Sequence, residues 1–116
     1  MDNYHESLDQ VFQALGDPTR RAVVSRLVAG PASVTELAAP FTMALPSFMK
    51  HLGVLERSGL IRSQKEGRTR TCELAPGALL RAERWMAEQR AIWESRSDRL
   101  AAYVESLHGK ENPSDL

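Results

Sequence analysis

The sequence predicts a mainly α-helical chain with one small β-hairpin, and three observations carry that expectation. Apolar residues recur at helical spacing through four segments, and a capping signal marks a fifth. Two short runs rich in Thr, Ile and Leu, at 60–64 and 69–74, flank the basic turn Lys65-Glu66-Gly67-Arg68. Proline and glycine stand at the joints between these segments.

The elements follow in order. Tyr4, Leu8, Val11, Phe12 and Leu15 give the first helix an apolar face, and Gly16 closes it. Asp17 suits the cap of a second helix, with Pro18 at its first position, where a missing N–H costs nothing. That helix carries Ala22, Val23, Leu27 and Val28 and stops at Gly30-Pro31. Ser33 with Glu36 three residues later fits a capping box, so a short helix spans 33–39, and Pro40 ends it. Pro46 opens a fourth helix that runs to Ser58, with Phe48, Leu52 and Leu55 as its inward stripe. Gly59 suits the left-handed residue that closes it. After the hairpin, Pro76-Gly77 starts a long helix to about Leu107. The domain is drawn over 1–108, with 109–116, GKENPSDL among them, as a polar, disordered tail.

Composition narrows the function. The 116 residues fit one small domain with a limited core, so self-association is a natural supplement. No apolar run reaches the roughly 20 residues of a membrane span. The polar start MDNYHESLDQ carries no signal peptide, and Cys72 is the single cysteine, which together give a cytoplasmic expectation. Net charge is zero, but residues 46–71 hold six cations against two anions. A helix-turn-helix followed by that basic hairpin is a surface for the DNA major groove and its flanking phosphates. No phosphate loop, nucleophile motif or paired carboxylates point to an enzyme.

The long helix needs its own account. Positions 85, 89, 92, 96, 100, 103 and 107 step alternately by four and three, close to a heptad seam. About thirty residues make roughly 45 Å of helix, more than so small a domain covers. A homodimer interface is therefore expected from the first and last helices, with Leu8, Val11, Phe12, Trp85, Ile92, Trp93, Leu100 and Tyr103 in it. The other reading of Trp85 and Trp93 is that they belong to the monomer core.

The words FQALGDPTRRAVVSRL at 12–27, SVTELAAPF at 33–41, LPSFMKHLGVLERSGLI at 45–61 and EGRTRTCEL at 66–74 carry a resemblance. The chain resembles the ArsR/SmtB-type winged helix-turn-helix transcriptional regulators over about residues 8–107. The resemblance implies a five-helix dimer that represses by sitting on an inverted-repeat, double-stranded DNA operator, with an unidentified small-molecule effector as a further partner. It also implies base contacts from Leu45, Ser47, Met49 and Lys50. His51 is assigned to a phosphate or to a neighbouring backbone carbonyl. Wing contacts fall to Arg62, Lys65, Arg68 and Arg70, although Arg70, in phase with Cys72 and Leu74, also fits the inner face of the hairpin. Arg20 and Arg21 are assigned to surface ion pairs. The chain departs from the metal-sensing members: Ala38, Ala39 and Pro40 stand where those carry paired cysteines, and the last helix holds no histidine before His108. No cofactor is expected. Two other readings stand beside the repressor: a winged-helix module that binds protein rather than DNA, and a sensor with an unusual site built from Cys72 or from His5 and His108.

Overall fold

In the computed structural model the backbone is described for residues 3–111 and the side chains for 7–109. The elements run α1 (Asn3–Leu15), α2 (Pro18–Val28), β1 (Ala32–Ser33), α3 (Val34–Ala38), α4 (Leu45–Arg57), β2 (Ile61–Glu66), β3 (Thr69–Leu74) and α5 (Pro76–Glu111). Five helices and the hairpin are as the sequence predicts. The sheet has a third strand, because β1 adds to the far side of β3 in the order β1-β3-β2, all antiparallel. Two residues carry too little periodicity to announce a strand, and Ala32 and Ser33 are ordered by pairing with Cys72 and Thr71.

The joints form as local chemistry dictates. The Asp17 carboxylate accepts from the Arg20 N–H at 3.0 Å, capping α2. Ser33 and Glu36 complete a reciprocal capping box on α3. α4 closes with a Schellman pair: Leu60 N–H donates to Leu55 C=O and Gly59 N–H to Glu56 C=O, with Gly59 at φ +82°. The wing turn is tighter than drawn, two residues between Glu66 and Thr69, with Gly67 at φ +62° and no other residue of the turn at positive φ. α5 runs on to Glu111, so Gly109, Lys110 and Glu111 of the supposed tail are helical, while 112–116 lie outside the described residues.

Contacts divide the chain into two compact units, Met1–Ala82 and Glu83–Leu116, where the sequence reading draws one domain to residue 108. The first unit holds every buried side chain among the described residues. Its core joins Val11 of α1, Val23, Val24 and Leu27 of α2, Leu37 of α3 and the Phe48, Leu52, Leu55 stripe of α4. Leu60, Ile61 and Cys72 of the hairpin and Ala78 and Ala82 of α5 complete it. Each large side chain here contributes roughly 1.5–3 kcal/mol through burial. Phe48 is the largest of the fully buried side chains and meets Phe41 ring to ring at 5.5 Å. On α2 the inward face is Val23, Val24 and Leu27, while Ala22 and Val28 are exposed, Val28 at 68%. The second unit is the remainder of α5, and no side chain from 83 to 109 is buried.

Candidate nucleic-acid interface

The Phe48, Leu52, Leu55 stripe decides which way α4 faces. With those three turned inward, Leu45, Ser47 and Lys50 are exposed on the other side. Ala44 caps the helix with no side-chain bond, so the first turn of α4 keeps backbone donors and a positive dipole end for an anion, although Pro46 contributes no N–H. Met49 sits at the edge of the inward stripe, beside the wing. It lines a groove of about 350 Å³ with Ser33, Val34 and Thr35 from the start of α3 and Arg68, Thr69 and Arg70 from the wing. The structure thus brings Met49, Arg68 and Arg70 together. It adds Ser33, read from the sequence only as a helix cap, and Thr35, to which the sequence assigns no role.

The register of the hairpin sorts the wing cations. Lys65 stands opposite Arg70, on the face that carries Ser63, Cys72, Ile61 and Leu74. Like charges directly opposed destabilise a sheet, so this pair is a local cost without a folding benefit. Arg70 takes the inner-face position. Its NH1 donates to Ser63 Oγ at 2.8 Å, and Ser63 Oγ donates to Glu56 Oε1, which ties the wing to α4. Gly53 lines a second groove with Met49, Leu52, Glu56 and Arg70, and the Arg57 guanidinium lies against its Cα. Arg62 is on the opposite sheet face, where its Nε donates to Glu73 Oε1 at 2.8 Å in an exposed ion pair. It is not brought together with the other wing cations, because strand alternation reverses its direction relative to Lys65. Lys50, Lys65 and Arg68 have no hydrogen-bond or ion-pair partner among the described residues.

Within the protein, His51 meets the side chains of Arg20 and Asp17 and not a neighbouring backbone carbonyl. Its Nδ1 lies 3.1 Å from Arg20 NH1 and 3.7 Å from Asp17 Oδ2. Arg20 also donates from Nε to Ala14 C=O at 2.8 Å and from NH2 to Gln13 C=O at 3.1 Å. Arg21 donates to Leu15 C=O at 2.7 Å. These two arginines therefore fold back onto the carbonyl end of α1 instead of making surface ion pairs, because those carbonyls have no helical partner. The Arg20 N–H bond above all, with the Arg20 and His51 side chains beside it, holds the Asp17 carboxyl below its usual range. A carboxylate whose folded value is depressed adds stability above its unfolded value, and that share is lost as pH falls through the folded value. Asp17→Ala is expected to cost about 1 kcal/mol near neutral pH. The gap to wild type should narrow below about pH 4, as read by urea unfolding at several pH values.

The residues assigned to a dimer interface separate into two groups. Leu8 and Val11 are buried inside the first unit, at 3% and 0% exposure, because α1 turns that face to its own core. They are not available to a partner. Phe12 is at the border, partly exposed. In the second unit Trp85, Ile92, Trp93, Leu100 and Tyr103 are all exposed, Trp93 at 65%, so the tryptophans are not residues of the monomer core. Arg90 and Glu94 pair at 3.7 Å along the same helix.

Cys72 is fully buried against the sheet, and burial pushes its thiol up, away from the reactive thiolate. Among the described residues no His, Cys, Asp and Glu side chains cluster as a metal site, and the side chain of His5 lies outside them. No helix there is long and apolar enough to cross a membrane.

Comparison with known proteins agrees with this geometry. A helix-turn-helix domain family matches residues 15–64. The HTH-type transcriptional regulator Rv2034 of Mycobacterium tuberculosis is 40% identical over 75 residues, covering 65% of this chain and 70% of its own. The transcriptional repressor SdpR of Bacillus subtilis is 29% identical over 79 residues, covering 68% and 88%. The crystal structure of an ArsR family transcriptional regulator, RHA00566, is similar with a TM-score of 0.76 and 58% identity, over 82% of this chain and 98% of that one.

Proposed function

The chain belongs to the ArsR family of winged helix-turn-helix transcriptional regulators, and from that premise we propose that it is a homodimeric repressor gripping an inverted-repeat operator with α4 and the wing. One observation carries this: Met49 at the edge of α4 and Arg68, Thr69 and Arg70 of the wing line one groove, and Lys50 on α4 and Lys65 and Arg68 on the wing lack protein partners among the described residues. Exposed cations that no protein group holds are free to neutralise phosphates, and DNA supplies them. Ser47 and Lys50 take base edges or phosphates, Leu45 meets a thymine methyl, and Arg68 enters beside the site. His51 and Arg70 act from behind this surface, on the pose of α4 and of the wing. Arg62, on the other sheet face, contributes charge only. The exposed seam of the second unit is the dimer contact, and pairing sets two α4 helices one DNA turn apart, about 34–36 Å. A protein with this role works in the cytoplasm, beside its DNA. With no cysteine pair at Ala38-Ala39, release is assigned to an organic effector or to dilution of the protein.

Substitution separates the roles. Lys50→Ala is expected to cost about 1–3 kcal/mol on the operator and to relax its sequence preference. Arg68→Ala should weaken all duplexes alike and lower the salt slope by about one. Fluorescence anisotropy at several salt concentrations reads both. Wild-type behaviour in both variants would remove this surface from consideration.

A further inference from the structure

The contact between Arg20 and His51 is compatible with one protonation state. A guanidinium can only donate. With Arg20 NH1 3.1 Å from His51 Nδ1, that nitrogen is the ring's acceptor, and the neutral ring carries its proton on Nε2. A second proton would sit on Nδ1 and face a cation. Asp17 Oδ2, 3.7 Å from the same nitrogen, is the group a protonated Nδ1 would turn toward. The two arrangements exclude each other, since one nitrogen cannot accept from Arg20 and donate to Asp17 at once.

The surroundings direct the response into α4. α2 faces His51 with Asp17 and Arg20, and α1 faces the cluster with the carbonyls of Gln13 and Ala14. Those carbonyls hold Arg20 at 2.8 and 3.1 Å, so it cannot retreat without uncapping α1. Asp17 is likewise held, by the Arg20 N–H. The group left to move is His51, and with it the helix that carries its neighbour Lys50.

We propose that His51 is a positioning residue whose neutral, Nε2-protonated ring locks α4 against α2, and that protonating it loosens the lock and releases DNA. The proposal rests on the DNA-binding reading and deepens it by adding proton control to the same site.

The test uses the full chain and a duplex enriched by the wild-type protein from a random-sequence pool. Between about pH 8 and pH 5.5, wild-type affinity is expected to fall about tenfold further than that of His51→Gln, the size of one charge-assisted hydrogen bond. Glutamine accepts from Arg20 but does not titrate. His51→Leu, with no acceptor, should bind weakly at both values. Equal pH dependence in wild type and His51→Gln, or tighter wild-type binding in acid, would overturn the proposal. A second readout needs no DNA: nitrogen NMR of the free protein near pH 8 should find the His51 proton on Nε2, and a proton on Nδ1 overturns the lock. If the wild type enriches no duplex, the DNA-binding reading fails by itself, and the ring tautomer still decides this one.

Discussion

A Trp93→Asp variant is expected to elute as a monomer in gel filtration and to lose operator affinity by about a hundredfold or more. Trp93 lies in the exposed seam of the second unit, between Ile92 and the turn that carries Leu100. Trp85, Ile92, Trp93, Leu100 and Tyr103 expose large apolar side chains along one helix, the kind of surface a second copy would cover. Burying a tryptophan or isoleucine there contributes roughly 1.5–3 kcal/mol each, and an aspartate in the same seam would leave a charge without a partner. Loss of pairing separates the two half-site contacts, and the second then no longer benefits from the effective concentration set by the first. The first unit holds its own core, so circular dichroism should find its fold intact. A variant with wild-type mass and affinity would place the dimer contact elsewhere.

Arg20→Ala is expected to lower stability by roughly 2–3 kcal/mol, one of the largest costs for a partly exposed residue in this chain. The side chain bonds the Ala14 carbonyl, shares the Gln13 carbonyl with the Gly16 N–H, and reaches the ring of His51. Removing it takes the donor from Ala14 of α1 and from His51 of α4 at once. Arg20→Lys should recover less than half, because an ammonium cannot span three acceptors with a planar fork. Urea unfolding measures both. An Arg20→Ala protein as stable as wild type would mean that water replaces these bonds without loss.

Much of the fold was legible because its joints are made locally. Asp17, Ser33 with Glu36, Pro46, Gly59 and Gly67 each act within a few residues of themselves, and each stands where the spacing puts it. What escaped depends on contacts distant in sequence. β1 exists because Ala32 and Ser33 meet β3, about forty residues on. The Arg20–His51 bond spans 31 positions, so neither residue's neighbours announce it. Leu8 and Val11 show the limit of periodicity: it finds an apolar face but not which partner covers it, and here the chain's own core does. In the candidate interface the α4 residues were legible from the inward stripe. On the wing, the inner-face place of Arg70 was legible from its phase with Cys72 and Leu74, but the separation of Arg62 from Lys65 and Arg70 was not, because it follows from the hairpin register.

The central claim is that α4 and the wing read an operator as a dimer. The most direct measurement is titration of the purified protein against duplex DNA from its own promoter region and against unrelated duplex, at physiological salt. The account predicts saturation at one dimer per inverted repeat, with an affinity at least about a thousandfold above that for unrelated DNA. Equal binding to both, across the promoter region, would contradict it.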